Sequence, residues 1–165
     1  MLPRRFLLRV LFAIAAATLV ACSRQPDPVP GSPETYLDLL ARQQQRWQAA
    51  QIQRYRYRLQ IDCFCPFSGV PVAVEVSPGR PPTVRHGETG AALTDSYFAP
   101  YSSIDRLFTS LQQELASPGA GERVVTGQFD SAYGFPTEFE ILYTAPASDE
   151  TIRYRLWDFQ RLDDG

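Results

Sequence analysis

Two cysteines stand one residue apart, Cys63 and Cys65, in the stretch YRYRLQIDCFCPFSG. Such a pair can close a structural disulfide, cycle as a thiol–disulfide redox site, or bind a soft ion such as Cu(I) through its thiolates. Strand geometry resists the bond: residues i and i+2 lie about 6.6 Å apart on a regular strand, while a disulfide holds its Cβ atoms about 3.8 Å apart. A Cys63–Cys65 bond therefore requires the chain to bend where Pro66 and the following FSG end the strand. Closing so short a loop removes little unfolded-state entropy, so the bond would stabilise weakly. Redox work needs exposure and a lowered thiol pKa, which core-facing cysteines lack. No Met or His lies nearby to complete a copper shell. An oxidising compartment favours the disulfide; redox pair, Cu(I) ligands and plain buried thiols stay open beside it.

The N-terminus speaks to the compartment. MLPRRFLLR carries three arginines, and VLFAIAAATLVA is a short apolar run ending at small residues before Cys22. This is the layout of a signal peptide over residues 1–21, too short to span a bilayer comfortably. LVAC, residues 19–22, looks like the lipobox of bacterial lipoproteins, which predicts lipidation at Cys22 and membrane attachment through its acyl chains. Ser23, rather than Asp, follows the cysteine. By resemblance to sorting in enteric bacteria, that points to the outer membrane, facing the periplasm. SRQPDPVPGSP, from Ser23, is Pro-rich and reads as an extended tether, so residues 22–32 form the lipidated N-terminus and tether.

Charge narrows the partners. Residues 1–21 hold three of the 16 basic residues and none of the 18 acidic ones, so the remainder carries 13 − 18 = −5. An acidic domain argues against nucleic acid. Arg54, Arg56 and Arg58 form a basic ladder on the outward face of a strand. They are candidates for phosphate or lipid-headgroup contact, weighed against simple cross-strand pairing with Glu75, Glu138 and Glu140, which is favoured. His86, the single histidine, sits in the loop RHGETG without a nucleophile in motif context. Asp130, Asp149 and Glu150 lie in turns, where turn chemistry explains them without a metal.

These residues need positioning. Ser32–Pro33 reads as an N-cap with Pro at the first helical position, opening a helix over about 33–52 with Leu37, Leu40, Ala41 and Trp47 on one side. A period of two follows, with Tyr55, Tyr57, Leu59, Ile61, Cys63 and Cys65 facing the core. GVPVAVEVS and TVR supply further strands, and residues 86–101 read as a long loop. Ile104, Leu107, Phe108, Leu111 and Leu115 mark a second helix, with Ser102 and Asp105 as its capping pair. ERVVTGQF, TEFEILYT and TIRYRLWDF are three more strands, the second burying Phe139, Ile141 and Tyr143. Trp47, Tyr55, Tyr57, Trp157 and Phe159 read as core aromatics. The expected fold of residues 33–165 is one α+β domain. It has an antiparallel sheet of five or six strands, two helices on one face, and the order α-β-β-(β)-α-β-β-β.

Several pieces occur in order over residues 47–159: Trp47, YRYRLQIDCFCP, PVAVEVSPGR, SIDRLF, FDSAYGFPTEFEI, Asp149–Glu150 and YRLWDF. Together they resemble the domain of unknown function 6174, found in bacterial secreted proteins and lipoproteins. CFCP and YGFP are its most specific parts here. The resemblance implies a small envelope-located domain and carries no catalytic residue and no cofactor. The expectation is a non-enzymatic accessory or binding protein, lipid-anchored in the envelope, that meets a protein partner there. A thiol redox or Cu(I)-handling protein is the alternative.

Overall fold

A computed structural model describes residues 30–118, 123–144 and 151–162. The expected signal peptide over residues 1–21, the expected lipidation site at Cys22, most of the expected tether, and Asp149 with Glu150 lie outside the described residues. No described helix is long and apolar enough to cross a membrane.

Helix α1 spans Pro33–Ala49 and is capped by Ser32, whose Oγ accepts from the Thr35 amide. The predicted helix loses its last three residues because Gln51 adopts a left-handed φ of 51° and breaks the ladder. Its buried stripe is Pro33, Tyr36, Leu40 and Trp47. Ala41, expected on that stripe, is exposed, and Tyr36 takes the position one turn earlier. Strands β1 (Tyr55–Asp62), β2 (Val72–Val76) and β3 (Thr83–His86) follow. The long loop contains a 3₁₀ turn, Ser96–Tyr101, opened by the Asp95 carboxylate, which accepts from the Tyr97 amide. Helix α2 spans Ile104–Ala116 and buries the five predicted apolar residues. Its cap is Ser103, which accepts from the Arg106 amide. Ser102, the expected cap, is buried and donates to the Ala99 carbonyl instead. Strands β4 (Arg123–Phe129), β5 (Pro136–Tyr143) and β6 (Thr151–Arg161) complete the chain.

The strands form one antiparallel sheet, ordered β3-β2-β1-β6-β5-β4. Local hairpins build each half, and the seam between halves is β1 against β6, where Tyr55 meets Arg161 and Asp62 meets Arg153. Apolar side chains from α1, α2 and one sheet face form a continuous core. The other face is left open, so the domain is a two-layer α+β sandwich as expected. The expected tether gives up its last two residues to this unit: Gly31 bridges Val125 at the β4 edge, and Ser32 is the α1 cap.

Three tyrosine hydroxyls fasten the layers. Tyr36 Oη accepts from the Gly127 amide on β4 at 3.0 Å, and Tyr55 Oη accepts from the Ile104 amide at the start of α2 at 3.1 Å. Tyr57 Oη donates to the Tyr101 carbonyl at 2.7 Å. Burial raises all three hydroxyl pKa values, that of Tyr55 to about 12.

Strand β6 carries a bulge opposite Tyr57, where Asp158 takes a φ of 53°. One extra residue reverses the inward–outward alternation. Tyr154 and Leu156 point to the core before the bulge, and Phe159 does so after it. Trp157, expected in the core, therefore lies half-buried on the open face.

Candidate functional site

The cysteine corner departs from the predicted strand. Strand β1 stops at Asp62, and Cys63 to Gly69 form a tight loop. Its backbone is closed by Gly69 N–H to the Ile61 carbonyl and by Cys63 N–H to Ser68 Oγ. Cys63 and Cys65 lie at disulfide distance, with Cα atoms 5.3 Å apart. The bend demanded by their spacing is thus present, made by leaving the sheet altogether. Both cysteines are half-buried rather than sealed in the core. The Tyr97 hydroxyl stands 3.0 Å from Cys65 Sγ and 3.6 Å from Cys63 Sγ. Burial, assisted by Tyr101, raises the Tyr97 pKa to about 12, so this hydroxyl keeps its proton at neutral pH and faces the sulfurs as a neutral group. Among the described residues, no group of three or more His, Cys, Asp or Glu converges to hold a metal. Between the sulfurs, Phe64 projects outward.

The open sheet face is the second candidate. Arg58, Ala73 and Arg85 stand in one row across β1, β2 and β3, and Arg56, Glu75 and Thr83 in the next. The small Ala73 side chain between two arginines leaves a groove of about 310 Å³, closed on the β6 side by Asp158 and Gln160. The bulge aims Asp158 at Arg58, 3.4 Å from its Nε. Arg56 donates from Nε and Nη2 to Gln160 Oε1. Arg54 precedes β1 and does not line the groove. The cross-strand pairing weighed for the arginine ladder thus exists, with partners other than those expected. Glu138 and Glu140 face β6, where Arg153 binds Glu140 at 2.6 Å and Arg155 reaches Asp62 at 3.2 Å. Arg85, Arg153 and Arg155 were missed because their place on this face depends on sheet order. A second depression of about 350 Å³, flanked by Gln60, Glu138, Arg155 and Trp157, lies beyond.

The remaining candidates serve local structure. His86 Nδ1 accepts from the Glu88 and Thr89 amides and so shapes its own turn. Asp130 Oδ1 accepts from the Ala132 and Tyr133 amides, an Asx turn.

A model of DUF6174, a family of unknown function, matches residues 39–161. The chain belongs to this family. No curated protein matches it significantly. Four of the pieces that carry the DUF6174 resemblance, Trp47, YRYRLQIDCFCP, FDSAYGFPTEFEI and YRLWDF, each supply a ring to one aromatic cluster. The Trp47 ring meets Tyr55, Phe135 and Phe159 edge-on at 5.2, 6.0 and 5.9 Å. Phe135 comes from YGFP, whose Gly134 turns at a φ of 82° beneath α1, where Arg46 donates to the Ser131 carbonyl. Most of the DUF6174 signature in this chain is therefore core architecture. CFCP differs: it builds an exposed corner.

Proposed function

We propose that this DUF6174 chain is a non-enzymatic accessory or binding protein of the bacterial envelope, held by lipid at Cys22 and engaging a partner through its open sheet face. One observation carries the reading. The helices cover one face of a six-stranded sheet and leave the other uncovered, with a charged groove at the Asp158 bulge. A face of this kind, rimmed by arginine and carboxylate and opened by the small Ala73 side chain, suits selective docking of a complementary surface. The lipid-anchor half rests on the sequence around Cys22.

Each half has its own test. Mass analysis of the mature N-terminus reads the acyl groups directly, and Cys22→Ser should release the protein from the membrane fraction. A photo-crosslinker at Thr83, on the groove rim, should trap a discrete adduct in native envelopes. That adduct should be lost with Arg56→Glu and Arg58→Glu together. A crosslinker at Arg42, exposed on α1, should not trap it. Equal adducts from both positions, or an adduct indifferent to the charge reversals, would remove the open face from the proposal.

A second reading keeps the Cys63–Cys65 pair as a thiol redox site, favoured by the Tyr97 hydroxyl beside both sulfurs. Reductant-dependent thiol titration separates the two: a pair that stays oxidised against a physiological dithiol donor does not cycle.

A further inference from the structure

Among the described residues, four large apolar side chains are exposed: Phe64 at 96%, Leu142 at 40%, and Phe67 and Val124 at 37% each. They gather at one end of the sheet. Val124 pairs with Leu142, and Leu142 with Thr151. Asp62, the last residue of β1, pairs with Arg153, two residues from Thr151, so the loop carrying Phe64 leaves the sheet at this same end. Phe67 belongs to the same loop, its ring 5.1 Å from that of Phe98. The opposite end, at Gln53–Arg54, Pro78–Arg80 and Ser131–Ala132, exposes only polar and small residues.

The chain also joins the folded unit at the apolar end. Gly31 bridges Val125, and Val125 is level with Ile141 and Ile152, next to Arg153. Counting one added strand at the β4 edge, four strand spacings of about 4.8 Å separate this point from the Phe64 loop. Only eight residues, 23–30, lie between the proposed lipidated cysteine and Gly31. Fully extended they reach about 30 Å. A lipid at Cys22 therefore holds the folded unit within about 30 Å of the bilayer, and of the two ends of the sheet the one exposing Phe64, Leu142 and Val124 offers the apolar contact. Phe64 is also held in place. Its loop is fastened by the cysteine pair, Ser68 and Tyr97.

We infer that this end of the sheet rests on the bilayer, with Phe64 inserted at the headgroup–acyl boundary and Leu142 and Val124 against the same interface. The inference rests on the lipid-anchor reading for its choice of occupant. It gives the anchored domain a fixed orientation, with the CFC loop as its foot.

The test uses the full mature chain carrying Phe64→Trp, reconstituted in phosphatidylethanolamine–phosphatidylglycerol vesicles with and without brominated acyl chains. The parent chain's emission is subtracted. The indole at position 64 should be blue-shifted and quenched about twofold or more by bromine, while an indole introduced by Arg80→Trp at the far end should not. N-terminal mass on the same sample gives the acyl state. Acyl groups present with position 64 quenched no more than position 80 overturns the inference and leaves the anchor standing. Acyl groups absent with position 64 still quenched removes the anchor and keeps the insertion. Neither acyl groups nor quenching overturns both. Shielding of position 64 in native envelopes but not in vesicles assigns the corner to a protein and overturns the bilayer.

Discussion

Gly127→Ala tests whether α1 is seated on the sheet as tightly as the structure shows. Gly127 lies on β4 opposite Phe139, and its amide donates to Tyr36 Oη at 3.0 Å. Tyr36 and Phe139 meet edge-on, 5.7 Å between centroids, directly over the missing side chain. A Cβ here would stand 2.8 Å from Phe139 Cδ2 and 3.0 Å from Tyr36 Cε1. In an open strand, alanine would stabilise by about 0.5–1 kcal/mol through reduced backbone entropy. Overpacking against two buried rings costs about 1–3 kcal/mol, and displacing Tyr36 puts a hydrogen bond of about 1 kcal/mol at risk. The clash wins, leaving a net loss of about 2 kcal/mol and a Tm lowered by about 5–10 °C for a domain of this size. Urea melts followed by tryptophan emission, with calorimetry in parallel, measure it. Adding Phe139→Leu removes the ring edge, so the double variant should lose about 1 kcal/mol less than the sum of the singles. An unchanged or raised Tm for Gly127→Ala, or strict additivity with Phe139→Leu, would refute this account of the helix–sheet contact.

Asp158→Val should destabilise by about 1–2 kcal/mol, because a β-branched residue does not accept a φ of 53°. Asp158→Gly should be tolerated and lose only the Arg58 pair; equilibrium denaturation of the two side by side separates backbone strain from charge. Replacing Cys63 and Cys65 together by Ser should cost about 1–2 kcal/mol, the loop-closure worth of so small a ring, and Ellman titration of the unfolded parent should find no free thiol at this pair. High pH should unfold the domain. Burial raises the folded-state pKa of Tyr55 to about 12 and shifts Tyr57 and Tyr154 upward. The Tyr55 contribution is complete below pH 10 and is lost as pH rises from about 10 through 12, and those of Tyr57 and Tyr154 fall away in the same direction. Absorbance at 295 nm should rise in step with loss of far-UV ellipticity; tyrosine ionisation well ahead of unfolding would contradict their burial.

Local patterns were the readable part of this chain. The alternation from Tyr55 to Ile61 and the helical stripe from Ile104 to Leu115 each rest on neighbours within one element, so burial follows directly from period. Failures cluster where a distant residue decides. The bulge at Asp158 puts Trp157 and Phe159 on opposite faces, and nothing in YRLWDF marks it, because its left-handed residue is an aspartate rather than a glycine. The choice of Ser103 over Ser102 as cap turns on the Ala99 carbonyl, supplied by a 3₁₀ turn hidden in an aperiodic loop. At the candidate sites, the cysteine pair and the arginine ladder were visible as residues. Their partners were not: Tyr97 is 32 residues from Cys65, and Asp158 and Gln160 meet the ladder only through the β1–β6 seam.

That seam bears on how the protein is made. Among the described strands, β6 is the one that joins β1–β3 to β4 and β5. Contacts such as Tyr55 with Arg161 close a loop of more than a hundred residues before they give anything back. Until the C-terminal segment arrives, β1 shows a bare edge of alternating Tyr and Arg. The two halves of the sheet therefore lock together only once β6 has reached β1, which makes that pairing the late, committing step of folding.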